Sequence, residues 1–189
     1  MPNAVPHQHL TAATACGAWW GGKVDERGIP VSPCRDNVPN GHLEVTFDAS
    51  TYSIEFVPAR RPRSHQMIIW APQTVEAGAD HIPVDANIFL GTDNSRVRMR
   101  IDDGEWTPME RVAKPQEEHL KLLAAKRDEA LKGVGRSDQA DSVLLPTASA
   151  HLWFANAECD LEPGYHHVQV RTTDMFHQTH LGQRTIRVR

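Results

Sequence analysis

Eleven histidines and three cysteines are the residues of this chain best suited to hold a metal or to serve as acid, base or nucleophile. The histidines form close pairs at His7 and His9, His166 and His167, and His177 and His180. A zinc centre needs three or four converging ligands, normally at tight Cys or His spacings. None of these pairs has a matching partner pair at finger-like spacing. On a strand His7 and His9 would share a face, and His166 and His167 would not. They are read as surface or hydrogen-bonded histidines, and no metal ligand is assigned. No serine stands in a Gly-x-Ser-x-Gly turn. Cys16, Cys34 and Cys159 carry no local signature of a nucleophile and read as inert. "GKVDERG" (22–28) lacks the spacing of a phosphate-binding loop. Asp102 and Asp103 lie in a "DDG" segment that reads as a hairpin turn. No catalytic residue is assigned either.

Binding chemistry has a better candidate in "ACGAWWGG" (15–22), where Trp19 and Trp20 stand side by side. Neighbours on a strand point to opposite faces, so one core does not easily take both rings. Gly17, Gly21 and Gly22 clear the flanks for close approach of another backbone. Two readings stay open. An exposed ring could bind carbohydrate. Alternatively, one ring seals the core and the other packs under a loop or at a domain interface. Pro30, Pro33 and Pro39 stiffen the segment that follows. It would hold Arg35, Asp36 and Asn40, with His42 at the end of "RDNVPNGH", as a polar rim beside the second ring.

The elements that must position these residues are mostly strands. "HLEVTFD" (42–48) and "YSIEFVP" (52–58) alternate and are split by a hairpin-like link. "QMIIWAP" (66–72) is a more continuous apolar run, and "VDANIFLG" (84–91) follows it. "RVRMRID" (96–102) sets Val97, Met99 and Ile101 on one face and Arg96, Arg98 and Arg100 on the other. "EWTPMERV", "AHLWFA", "HHVQVRTTD" and "LGQRTIRVR" complete the series. Short strands at this regular spacing predict an antiparallel β-sandwich of immunoglobulin or fibronectin type. One segment differs. "PQEEHLKLLAAKRDEALKG" (115–133) has Pro115 in its first turn, Glu117 four before Lys121, and glycines at its end. A helix is predicted over about 115–132, within an insertion spanning 115–147. The whole chain, 1–189, is expected to be one domain.

Composition narrows the function classes. Nonpolar residues make up 40% and charged residues 23%, an ordinary globular balance. The net charge of −4, with "ARRPR" (59–63) as the main basic run, gives no support to nucleic-acid binding. Three cysteines are not a disulfide framework, and one Cys16–Cys34 bridge is left open. No apolar run approaches the roughly 18 residues that span a bilayer. "MPNAVPHQHL" has neither the charged nor the apolar region of a secretory signal. The chain is expected to begin almost directly in structure, as an excised domain or a short native protein would.

Three stretches carry a family resemblance: "CGAWWGGKVDERGIPVSPCRDNVPNGHLEV" (16–45), "NIFLGTDNSRVRMRIDDGEWTPMERV" (87–112) and "HLWFANAECDLEPGYHHVQVRTTDMFHQTHLGQRTIRV" (151–188). In order and character they resemble the C-terminal domain of bacterial calcineurin-like metallophosphoesterases, over nearly the whole chain. Two departures are local. "DNVPNGH" (36–42) stands where the family has Asp-Gly-Thr-Pro-Asn-Gly-Tyr, and His177 stands where it has Gly in the last turn. The resemblance implies a non-catalytic accessory domain that packs on a catalytic domain and shapes access to it. That catalytic domain would hold two divalent metals through Asp-x-His, Gly-Asp-x-x-Asp, Gly-Asn-His and Gly-His-x-His segments. None of the four occurs in this chain, so no family catalytic residue transfers and no cofactor is expected here. The resemblance further implies a parent that is often exported, to the periplasm or beyond. On it, the second tryptophan ring would face the catalytic domain. The alternative is a stand-alone module on the same fold that binds carbohydrate or protein.

Overall fold

The computed structural model describes residues 9–12, 15, 26, 28, 34–114 and 148–189. Among these residues eleven strands run in order: β1 (Gly41–Asp48), β2 (Thr51–Pro58), β3 (Met67–Trp70), β4 (Thr74–Val75), β5 (His81–Ile88), β6 (Arg96–Ile101), β7 (Thr107–Pro108), β8 (Glu110–Val112), β9 (Leu152–Glu158), β10 (Gly164–Thr173) and β11 (Thr179–Val188). They form a five-stranded sheet in the order β4-β11-β10-β6-β7, a four-stranded sheet β3-β5-β9-β8, and the β1-β2 ribbon. Pairing is antiparallel except for the two-residue β4 against β11. The fold is mainly β and sandwich-like, as the alternating sequence predicts.

The core lies between the two larger sheets. The inward residues of β6 and β10 pair as Val97 with Thr172, Met99 with Val170 and Ile101 with Val168. Ile82, Val84, Ala86 and Ile88 of β5 face them across the sandwich. Val84, Val168 and Val170 are wholly buried. Each such side chain contributes about 1.5–3 kcal/mol relative to an exposed one. Gly182 of β11 leaves room for Met67 and Ile69, since a Cβ there would lie 2.7 Å from the Met67 sulfur. β5 is covered on both sides, which is why its sequence reads as a run: Asp85 and Asn87, on the face away from the sandwich core, are also buried.

β8 and β9 are antiparallel neighbours, and the Ser149 N–H donates to the Lys114 carbonyl at 3.1 Å. Lys114 and Ser149, on either side of residues 115–147, are therefore neighbours. The helix predicted for 115–132, Cys16 of the open bridge, and the tryptophan pair all lie outside the described residues. No helix among the described residues is long and apolar enough to cross a membrane.

Candidate functional site

The predicted rim "RDNVPNGH" forms a tight loop that runs into β1. The Cys34 N–H donates to the Val38 carbonyl at 2.7 Å, and the Asn37 N–H to the Cys34 carbonyl at 2.9 Å. Asn37 adopts a left-handed backbone with φ of 69°. Asparagine enters that region more readily than most residues, because its short side chain meets little steric conflict there. The Val38 N–H donates to Asp36 Oδ1 at 3.3 Å, an Asx-type turn. Val38 is buried against Phe56 of β2 and Phe89. The Asn40 carbonyl accepts from the Ala59 N–H at 2.8 Å and so closes the loop on the far end of β2.

Asp36 is the residue of this rim that reaches furthest. Its carbonyl accepts from Asn87 Nδ2 at 2.7 Å, and its Oδ2 lies 3.2 Å from His151 Nε2. Because the Asn87 amide nitrogen is committed to that carbonyl, its Oδ1 faces His151 Nδ1 at 2.9 Å as acceptor. Asn87 comes from β5 and His151 from the turn before β9, so loop and sheet are tied through side chains far apart in sequence. Burial pushes the Asp36 carboxyl up. The hydrogen bond and charge of His151, with backbone N–H groups at Val38 and Asp36, outweigh it and hold the carboxyl below its ordinary 3.8.

Ser149, His151 and Asp36 follow one another as hydroxyl, imidazole and carboxylate. The Ser149 oxygen lies 3.2 Å from His151 Nδ1 and receives the His151 N–H, also at 3.2 Å. Ser149 is wholly buried. A hydroxyl with no access to solvent and a ring nitrogen engaged by Asn87 make a structural tie rather than an activated nucleophile.

The structure thus brings Asp36 and Asn40 into one ordered loop with Arg35 exposed beside them. His42 is also exposed and lies 3.5 Å from Glu44 on the polar face of the ribbon. Trp19 and Trp20 fall outside the described residues. His151, Asn87 and Ser149 escape sequence reasoning. For Asn87 a signal exists, a polar residue inside the apolar run "VDANIFLG". For His151 nothing local gives it away.

The "DDG" turn and the His166–His167 pair come together in a second cluster. Asp102 has φ of 51° and accepts from the His167 N–H at 2.7 Å. Its other oxygen lies 2.7 Å from His166 Nδ1, while His166 Nε2 faces the Glu162 carbonyl at 2.8 Å. This is the hydrogen-bonded role expected of the pair, with His166 pointing inward and His167 outward. Among the described residues no three His, Cys, Asp or Glu side chains gather as a metal site.

Three comparisons bear on relatedness. The family model described as "C terminal of Calcineurin-like phosphoesterase" matches residues 9–180. No curated protein matches. Among solved structures, similarity extends to CopC from Methylosinus trichosporium OB3b, at 13% identity over 63% of this chain and 84% of that one, with a TM-score of 0.31. A superoxide reductase (neelaredoxin) from Ignicoccus hospitalis matches at 11% identity over 66% and 81%, with a TM-score of 0.33. The PmoD soluble domain from Methylocystis sp. ATCC 49242 (Rockwell) matches at 13% identity over 77% and 96%, with a TM-score of 0.30.

Proposed function

The chain belongs to the family of C-terminal domains of calcineurin-like phosphoesterases, and from that premise we propose that it is a single accessory domain which packs on the catalytic domain of a metal-dependent phosphoesterase and performs no chemistry itself. The family match over residues 9–180 carries this reading. Among the described residues no three possible ligands converge on a metal site. The two divalent ions belong in the catalytic domain of the parent, where they would clamp the attacking and leaving oxygens of the ester.

The β1-β2 ribbon supports a docking face. Its register sets Leu43 opposite Phe56, Val45 opposite Ile54 and Phe47 opposite Tyr52, all on one side. The inner end of this apolar face is buried in the body. The outer end is open: Phe47 is 77% exposed, Val45 45% and Tyr52 39%. The Tyr52 ring packs edge-on against Phe176 at 5.6 Å, which stiffens the tip. The Arg35–Asn40 loop leads directly into this ribbon. An apolar centre beside an ordered polar rim is the usual anatomy of an interface. Burying Phe47 against a partner contributes about 1.5–3 kcal/mol. Hydrogen exchange compared between the parent protein and the 189-residue chain tests the reading. Residues 34–58 are expected to exchange more slowly in the parent. Equal exchange there, with protection on another face, would remove this docking surface, and a parent without a phosphoesterase domain would remove the reading itself.

A further inference from the structure

The outward face of the five-stranded sheet carries a charge pattern that packing does not explain. Its register places Arg98 directly opposite Arg171, Arg100 opposite Gln169 and Arg96 opposite Thr173. Gln183 and Thr185 of β11 continue the face beside Gln169 and His167, and Arg187 lies opposite Tyr165. No Asp or Glu occurs among the outward positions of β6, β10 and β11, although acidic residues outnumber basic ones in the chain, 24 to 20. Among the described residues none of these five arginines is ion-paired with a carboxylate. Like charges directly across a strand pair are destabilising, so the Arg98–Arg171 pairing carries a repulsive cost.

The face is also ordered. The guanidinium carbons of Arg100 and Arg171 lie 4.8 and 4.5 Å from the Trp106 ring centroid. Arg100 Nε donates to Gln169 Oε1 at 2.7 Å, Gln169 Nε2 reaches Gln183 Oε1 at 3.4 Å, and Gln183 Nε2 lies 3.1 Å from His167 Nδ1. We infer that this face binds a linear acidic polysaccharide, a polyuronate, laid along β6 and β10 with its carboxylates on the arginine forks and its hydroxyls on the amides and threonines. The forks match carboxylates bidentately. Amides and hydroxyls between them suit a ligand that alternates charge with hydroxyl groups. Two features select a glycan over other polyanions. A nucleic acid held on an open sheet stacks successive bases on a series of free aromatic rings, whereas here Trp106 holds two guanidiniums and leaves Tyr165, 73% exposed beside Arg187, as a single ring. A protein partner needs an apolar centre depleted in charge, whereas here the two large side chains with apolar surface exposed beside the arginines, Tyr165 and Leu181, stand towards opposite ends of the β10–β11 pair, opposite Arg187 and Arg171.

The inference is independent of the docking reading, because it uses the opposite kind of surface and needs no catalytic domain. The test is affinity electrophoresis and calorimetry of the 189-residue chain with polygalacturonate, beside neutral galactan, oligo-dT and poly-glutamate. Binding to polygalacturonate is expected, weakening with added NaCl as exposed charges are screened. Arg98→Gln and Arg171→Gln are each expected to weaken it roughly tenfold, the scale of one charged hydrogen bond. Arg61→Gln, outside the sheet, should leave it unchanged. The urea midpoint of the Arg98→Gln variant should stay level or rise, since it removes the repulsion and leaves Arg171 on Trp106, so lost binding in it would not reflect unfolding. No binding to polygalacturonate, unchanged binding in both arginine variants, or preference for oligo-dT or poly-glutamate would each overturn the inference.

Discussion

His166 shows how a single side chain ties pH to stability in this molecule. Both of its ring nitrogens face acceptors, Asp102 Oδ2 at 2.7 Å and the Glu162 carbonyl at 2.8 Å, so the doubly protonated ring satisfies the site best. The hydrogen bond to Asp102, then that to Glu162, raise its pKa above the ordinary 6.5 against a smaller opposing effect of burial. For Asp102, burial raises the pKa, and the bonds from His166 and the His167 N–H with their charges bring it below 3.8. The signs are opposite. A raised histidine stabilises fully below 6.5 and loses its effect as pH rises through its folded value; a lowered carboxylate stabilises above 3.8 and loses its effect as pH falls through its folded value. The pair therefore acts in the window between the two ordinary values. Urea midpoints across pH should decline on the alkaline side, and His166→Gln should flatten that decline. NMR titration of the His166 ring should show its transition above that of an exposed histidine. A transition at or below the ordinary value would rule out this coupling of the His166–Asp102 pair to stability.

Two positions where the family resemblance implies Gly carry other residues here, and their backbone geometry says how they are accommodated. His177 has φ of 62° in the loop joining β10 to β11, and Asn37 has φ of 69° in the loop before β1. Both stand where the family resemblance implies Gly. A left-handed backbone costs an L-residue roughly 1–2 kcal/mol, whereas Gly costs about 0.5–1 kcal/mol in unfolded-state entropy. His177 is exposed, and its turn is already held by Asp174 Oδ1 accepting from the Phe176 and Gln178 N–H groups, each at 2.8 Å. His177→Gly should therefore raise stability by about 0.5–1 kcal/mol. Asn37→Gly should lower it, because the 5% exposed side chain fills space under the loop. Urea denaturation of the two variants checks the contrast, and a gain in both would show that the Asn37 side chain contributes nothing. Strands were legible from sequence because polar and apolar residues alternate at period two. The β6 arginines, for example, sit where the alternation puts them, on the face away from Val97 and Met99. The Asp36–His151 tie was not legible. It joins residues 115 positions apart, and only the sheet register, which brings the start of β9 beside the end of β5, makes them neighbours.

At the scale of the whole molecule, the acids and histidines that come together among the described residues are committed to holding the fold. Asp36 and His151 fasten the loop before β1 to the four-stranded sheet. Asp102 and His166 close the end of β6 onto β10. Asp85, only 1% exposed, is met by Lys114 at 3.0 Å, the last residue before the 115–147 segment. A two-metal hydrolase instead needs several carboxylates and imidazoles aimed at one point, with the ions about 3.5–4 Å apart and open to substrate. Freeing the Asp36 carboxylate for that purpose would leave His151 Nε2 short of a partner in a half-buried site, at a cost of about 1–3 kcal/mol. The 189-residue chain is therefore expected to show no metal-stimulated turnover of bis(p-nitrophenyl) phosphate or p-nitrophenyl phosphate with Mn²⁺, Zn²⁺ or Fe²⁺. Added metal should also leave its urea midpoint unchanged, because a resident site would stabilise the folded form by mass action. Metal-dependent turnover that disappears in Asp36→Asn or His151→Gln, with the fold retained, would make the tie a catalytic centre and end the accessory-domain reading.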